Sequence, residues 1–177
     1  MDKKLIYKEI KEIIRNIPDF PKAGIIFRDV TPLLGNARLF SVSLDLMTEK
    51  FNTEKIDAIA GIDSRGFIFG AAVAARMGLP FIPIRKKNKL PWRTYEETYA
   101  LEYGTDTLAI HQDAFQPGQK VLLVDDLLAT GGTALASSKL IRRCQAELIG
   151  CSFLIELVEL GGRNKLGNIP ISTLIEY

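Results

Sequence analysis

"VLLVDDLLATGGTALAS", residues Val121–Ser137, carries two signals that pull against each other. Val121–Val124 is an unbroken apolar run, the pattern of a strand buried on both faces. Gly131 and Gly132 then open a helical stretch, "GGTALASSKLIRRCQAE", within a few residues of the strand. Glycines there permit backbone angles closed to other residues and let the main chain approach a ligand. Thr130 and Thr133 add hydroxyls and candidate N-caps. The free amides and dipole of such a helix start favour an anion by about 0.3–2 kcal/mol. Asp125 and Asp126 stand just upstream, and carboxylates repel anions. A sugar phosphate satisfies both halves: its phosphate takes the amides around Thr130–Thr133, and its vicinal hydroxyls take the carboxylates. The competing reading is a plain turn whose acids face solvent. No Gly-Lys-Ser/Thr follows and no Gly-x-Gly-x-x-Gly is present, so neither nucleotide-binding fingerprint applies.

The same layout recurs upstream in "AIAGIDSRGFIFGAAV", Ala58–Val73. Asp63, Ser64 and Arg65 form its loop. Arg65 can fork onto phosphate oxygens, and Ser64 is placed to cap the helix that follows. Two anion-shaped loops suggest a ligand phosphorylated at two places. The basic residues Arg85, Lys86, Lys87 and Lys89 would help neutralise it, against the plainer reading of a solvated loop. Such a ligand is expected to arrive with Mg2+, which binds phosphate oxygens and keeps much of its water. No direct protein ligand to the metal is assigned.

Outside these loops, Leu5 to Ile17 has helical spacing, with Pro18 as its stop. "DFPKAGIIFRDVTPLLG" reads as loop with a short strand at most, and Leu39–Phe51 is again helix-periodic. Ile56–Gly61 and "PFIPI" are strands around a helix ended by Gly78. "RKKNKLPWRTYEET" reads as irregular. "YALEY" and "DTLAIH" alternate like a hairpin joined near Gly104. "LIGCSFLIELVEL" is a long strand, "GGRNKLGN" a turn and "ISTLIEY" a last strand. Strands alternating with helices predict an α/β fold with a mainly parallel central sheet flanked by helices. Ligands of open α/β sheets bind at the carboxyl edge of the strands. The chain reads as a single domain over 1–177, with residues 1–35 forming a small N-terminal cap, or hood, over that edge.

The 177 residues suit one such domain. A formal net charge of +2 gives no push toward nucleic acid or membrane, and no apolar run is long enough to span a bilayer. Cys144 and Cys151 make no disulfide framework, and one histidine gives no zinc cluster. His111 is given no role. With no leader pattern, a reduced cytoplasmic protein is the expectation.

"VLLVDDLLATGGT" resembles the phosphoribosyl-pyrophosphate signature of the purine and related phosphoribosyltransferases. "FPKAGIIFRDVTPLL", "AGIDSRGFIFG", "IRKKNKLP" and "ALEYGTDTLAIHQDA" look like the adenine-using members of that family. The resemblance runs from about Ile17 to the C-terminus. It implies a type I phosphoribosyltransferase-like fold, a homodimer, a Mg2+ requirement, and transfer of phosphoribose from phosphoribosyl pyrophosphate to adenine, giving AMP and pyrophosphate. It implies that Ala129, Thr130, Gly131, Gly132 and Thr133 hold the 5′-phosphate and that Asp125 and Asp126 hold the ribose hydroxyls. Asp63, Ser64, Arg65, Lys86 and Lys89 would face pyrophosphate, with a cis Asp63–Ser64 peptide. Ile26, Phe27, Arg28 and Leu127 would form the adenine slot, and Glu102 would share a proton with N7 of the base. "KKNKLPWRTYEETY" would be a closing lid. Many relatives carry glycine where Asn88 stands, and Trp92 is not a family feature.

Two rivals remain at this level. A phosphoribosyltransferase for another base would keep both phosphate loops and change the base pocket. A regulator that binds phosphoribosyl pyrophosphate without turnover would usually add a DNA-binding module, and no basic recognition helix is evident.

Overall fold

The computed structural model describes residues 3–100 and 104–177, which form two compact units, Met1–Leu46 and Met47–Tyr177.

In the first unit, α1 (Lys3–Ile13) buries Ile6 and Ile10 from one face. The helix stops at Ile13, short of the expected Ile17, because β1 (Arg15–Ile17) pairs antiparallel with β2 (Phe27–Asp29). Pro18 pushes the residue before it toward extended angles. An Arg15–Asp29 ion pair at 3.6 Å spans the same two strands. The connecting turn contains a cis Phe20–Pro21 bond, and Asp19 accepts the Gly24 N–H at 2.7 Å. Next come α2 (Thr31–Leu34) and α3 (Ala37–Thr48).

The second unit holds the sheet. Its elements are β3 (Ala58–Ile62), α4 (Arg65–Met77), β4 (Phe81–Lys86), β5 (Thr94–Ala100), β6 (Thr105–His111), β7 (Lys120–Leu128), α5 (Gly132–Arg143), β8 (Glu147–Glu156), α6 (Gly162–Leu166) and β9 (Ile171–Glu176). The seven strands run in the order β5-β6-β4-β3-β7-β8-β9. β4, β3, β7, β8 and β9 are mutually parallel, and the β5–β6 hairpin adds the antiparallel side. The expected α/β class with a mainly parallel sheet is what forms.

β3 and β7 lie at the centre, and Val121–Val124 have no exposed surface. One face of these strands (Ala58, Ala60, Ile62, Val121, Leu123) packs with Ala134, Leu140 and Ile141 of α5 in a single core. α4 buries Phe69 and Val73 against the sheet. Each strand is covered, so its continuous apolar pattern is accounted for.

Several boundaries differ from the sequence expectations. Arg85 and Lys86 extend β4, and Thr94–Tyr99 belong to β5, so only the residues between stay irregular. β6 pairs with both neighbours there, through Arg85↔Ala109, Lys86↔Leu108 and Thr94↔His111. Cross-strand hydrogen bonding thus orders residues whose polarity suggested a loop. The expected turn after Gly161 contains the short helix α6, and the long β8 stops at Glu156 before a 3-10 turn at Val158–Leu160. No helix among the described residues is long and apolar enough to cross a membrane.

Candidate active site

β7 runs to Leu128, so Asp125 and Asp126 are strand residues rather than the start of a loop. Parallel pairing with β8 continues through Asp125↔Phe153 and Leu128↔Glu156 and holds them there. The chain then turns through Ala129–Gly131 into α5. Gly131 takes the N-cap position with φ +77°, a left-handed angle that glycine adopts without a Cβ penalty, and makes no side-chain cap bond. Neither Thr130 nor Thr133 occupies the cap, which corrects the sequence expectation. The first-turn amides of any helix lack intrahelical partners, and here no cap side chain answers them.

A second glycine backs this loop. A Cβ on Gly131 would collide with the Gly162 carbonyl, and one on Gly162 would collide with the Ala129 carbonyl. The loop therefore rests directly on the backbone at the start of α6. α6 is tied down by Arg163, whose Nε donates to Oε1 of the buried Glu156 at 3.1 Å. Arg163 Nη2 donates to the other Glu156 oxygen and to Thr173. None of these buttressing residues is marked by the sequence pattern alone.

The loop after β3 faces the same space. The Asp63–Ser64 peptide is cis, as the resemblance implied. Ser64 stands at the cap of α4 but makes no side-chain cap bond, contrary to expectation. Arg65 Nε lies 2.6 Å from Asp126 Oδ2. Gly66 gives Asp125 its room, since a Cβ there would collide with Asp125 Oδ1. That oxygen accepts the Asp126 N–H at 2.9 Å.

Together these segments line a cavity of about 510 Å³. Asp63–Arg65, Lys86, Asp125–Thr130, Gly131 and Thr133 all contribute. The cavity thus brings together the two phosphate loops and the acid pair proposed from sequence. Gly132 and Lys89 do not line it; the Lys89 carbonyl instead accepts from Arg85 Nη1 at 3.2 Å. Arg85 also reaches Asp63 at 3.1 Å. Tyr99 and Asp106, which the sequence reading passed over, do line it. Their signal was weak because each sits in a short hairpin strand among other polar residues. Register brings them in: Tyr99 pairs with Asp106 across the hairpin.

The acids sit in a strained electrostatic setting. Asp126 is only 6% exposed. Burial pushes the Asp125 carboxyl well above the usual carboxylate range, and the neighbouring Asp126 charge pushes it further. Burial also raises Asp126, with the Arg65 guanidinium pulling the other way. The two carboxyls lose their protons in two steps that belong to the pair. The ion pair with Arg65 places the first negative charge on Asp126 and leaves the raised step to Asp125.

Of the remaining expected residues, Ile26, Phe27 and Arg28 lie in the first unit, on and beside β2. Ile26 is half exposed, the Phe27 ring packs edge-on against Phe20 at 5.2 Å, and Arg28 bonds Asn16. Leu127 lines the cavity. Glu102 lies outside the described residues. Within the expected lid, Asn88 adopts φ +64° and Trp92 is 64% exposed. Asparagine is among the few non-glycine residues that tolerate that angle.

Comparison with known proteins places this arrangement. The phosphoribosyl transferase domain matches residues 31–165. Adenine phosphoribosyltransferase of Brachyspira hyodysenteriae (strain ATCC 49526 / WA1) is 54% identical over 169 residues, covering 96% of this chain and 99% of its own. That of Maricaulis maris (strain MCS10) is 52% identical over 171 residues, covering 96% and 98%. Among solved structures, adenine phosphoribosyltransferase from Rhodothermus marinus superposes with a TM-score of 0.94 at 44% identity, over 98% of this chain and 99% of that one. The Saccharomyces cerevisiae protein, solved with adenine and an imino-altritol bisphosphate, gives 0.92 at 40%, over 97% and 99%. Matched by the domain across most of its length and by near-full-length relatives sharing half its residues, the chain belongs to the phosphoribosyltransferase family, in its adenine phosphoribosyltransferase branch.

Proposed function

We infer that this chain transfers the 5-phosphoribosyl group from phosphoribosyl pyrophosphate to adenine, giving AMP and pyrophosphate, a purine-salvage reaction. The observation that carries the reading is one cavity lined by the Asp125–Asp126 pair, by residues of the loop that follows it and by the Asp63–Arg65 loop, with Arg65 2.6 Å from Asp126. The order of these groups matches phosphate, ribose hydroxyls and pyrophosphate along the substrate.

In this reading the amides of Ala129, Thr130, Gly131, Gly132 and Thr133 bind the 5′-phosphate, and Asp125 and Asp126 accept the ribose hydroxyls. Each charge-assisted bond contributes about 1.5–3 kcal/mol. As the glycosidic bond breaks, the ribose gains oxocarbenium-like positive charge, which the two acids stabilise at close range. Asp63, Ser64, Arg65, Lys86 and Lys89 face the leaving pyrophosphate. For that, Arg65 must exchange Asp126 for phosphate oxygens. Leu127 walls the base, Phe27 stacks on it, and the main chain of Ile26 and Arg28 reads its edge. A wrong base would leave buried polar groups unpaired, at about 1–3 kcal/mol each. Glu102 shares a proton with N7 while N9 attacks the anomeric carbon. Residues 1–35 serve as the hood, and the Lys86–Tyr99 segment, irregular from Lys87 to Arg93, as a lid that excludes water.

The cavity's chemistry suits Mg2+ carried by the substrate. Its donors are hard carboxylate oxygens, and no group of three or more His, Cys, Asp or Glu among the described residues forms a metal cage. When it arrives with the substrate, Mg2+ would supply charge neutralisation of the leaving group. A cytoplasmic homodimer is the accompanying expectation.

The test is turnover with phosphoribosyl pyrophosphate, Mg2+ and each of adenine, hypoxanthine, guanine, xanthine and orotate. AMP formation from adenine, at a kcat/KM at least about a hundredfold above the other bases, is expected. Preference for a 6-oxopurine or orotate would replace the base assignment. Binding without turnover of any base would make the protein a regulator.

A further inference from the structure

Among the described residues, the cavity is lined by four carboxylates (Asp63, Asp106, Asp125 and Asp126) and by two cations, Arg65 and Lys86. Its formal charge therefore has the same sign as a polyphosphorylated ligand. Two of the acids have a ribose to hold, and Asp63 sits in the loop and is paired with Arg85 at 3.1 Å. Asp106 has no such task. Its Oδ2 lies 3.2 Å from Lys86 Nζ, with the Asp106 side chain 26% exposed and that of Lys86 59%.

The sheet register produces this pairing. Lys86 on β4 lies opposite Leu108 on β6. Asp106 is two residues from Leu108, so it shares that face and lies diagonally beside Lys86, within reach of a long side chain. Tyr99, opposite Asp106 on β5, lines the cavity from the same face. The second Asp106 oxygen accepts the adjacent Thr107 N–H at 2.8 Å. Backbone pairing of β6 with β5 does not depend on the carboxylate.

We propose that Asp106 is a restraint on Lys86 that weakens the hold of the cavity on pyrophosphate and so sets how readily that end of the ligand binds and leaves. This rests on the reading of Lys86 as a pyrophosphate contact. The acid competes with pyrophosphate for the ammonium and adds a like charge to the cleft. The pair is partly solvated, so its effect is modest. Asp106 is a positioning residue; it need not touch the reacting atoms.

The experiment measures Kd for pyrophosphate and, separately, for ribose 5-phosphate, by calorimetry on the full chain. It compares the wild type with Asp106→Asn, Asp106→Glu, Lys86→Met and the Asp106→Asn/Lys86→Met double variant, each with Mg2+ and with EDTA. Asp106→Asn is expected to tighten pyrophosphate about three- to tenfold, in both media, and to leave ribose 5-phosphate unchanged. Asp106→Glu should stay near wild type. In the Lys86→Met background, Asp106→Asn should lose most of its effect, keeping only the smaller gain from removing a like charge, since the ion pair it breaks is already gone. If Lys86→Met leaves pyrophosphate binding unchanged, the underlying reading of Lys86 fails. If Lys86→Met weakens binding but Asp106→Asn does not tighten it, the restraint alone is overturned. Weaker pyrophosphate binding by Asp106→Asn only when Mg2+ is present would overturn it in favour of a metal-holding carboxylate. Parallel shifts for both ligands would mark Asp106 as merely structural.

Discussion

Asp125 and Asp126 occupy strand positions, the first half-buried and the second buried, where a neutral side chain would suit the fold better. Because the folded protein holds the Asp125 proton above the usual carboxylate range, it binds more protons than the unfolded chain once the pH exceeds about 4. The contribution of Asp125 to the stability of the ligand-free protein is then fullest below that pH and declines as pH rises through the raised step. Asp125→Asn is expected to raise the ligand-free stability by about 1 kcal/mol at neutral pH, with no gain near pH 3.5. Activity should fall by orders of magnitude. Thermal unfolding of both proteins across pH, beside initial rates, measures this; equal melting curves at pH 7.5 would remove the electrostatic account. Part of this was visible in the residues themselves. Two adjacent acids after an apolar strand ahead of paired glycines already implied a ribose phosphate. Their burial, the 2.6 Å Arg65–Asp126 contact and the room left by Gly66 depend on α4 packing beside β7, which no local pattern records.

At the scale of elements, the loop between β7 and α5 is defined by what lies behind it. Gly131 combines φ +77° with direct contact on Gly162. Gly131→Ala therefore meets both a left-handed angle and a backbone carbonyl. A loss of about 1–3 kcal/mol in stability is expected, together with at least about tenfold weaker binding of ribose 5-phosphate. Pyrophosphate affinity should be spared, because the Asp63–Arg65 loop does not share this contact. Paired titrations and urea melts check it, and unchanged ribose 5-phosphate affinity would show the loop to be compliant. The strand–loop–helix layout of both anion loops was readable from periodicity and glycine placement. The extents of β4 and β5 were not. Their polar residues join the sheet only because β6 supplies hydrogen-bond partners far along the chain. The end of α1 moved for a similar reason, since pairing with β2 claims residues whose spacing fitted a longer helix.

For the molecule as a whole, the two cysteines report on the core. Cys144 closes α5 and Cys151 lies within β8; both are buried, and burial raises their thiols to about 11 and about 12. Neither forms appreciable thiolate at pH 8 in the folded state, so reaction with an aromatic disulfide reagent should wait on opening of the core. The labelling rate of Cys151 is expected to rise with urea in step with global unfolding. Fast labelling in native buffer would mean that the sheet opens locally. The sequence by itself determined the α/β class, the two strand–loop–helix turns and the acid pair beside one of them, because these rest on short-range periodicity, glycine placement and charge. Tertiary structure alone decided which polar strands join the sheet, that Gly162 backs the Ala129–Gly131 loop, and that Asp106 meets Lys86. Those depend on register and packing between segments distant in the chain, where spacing along the sequence carries no distance in space.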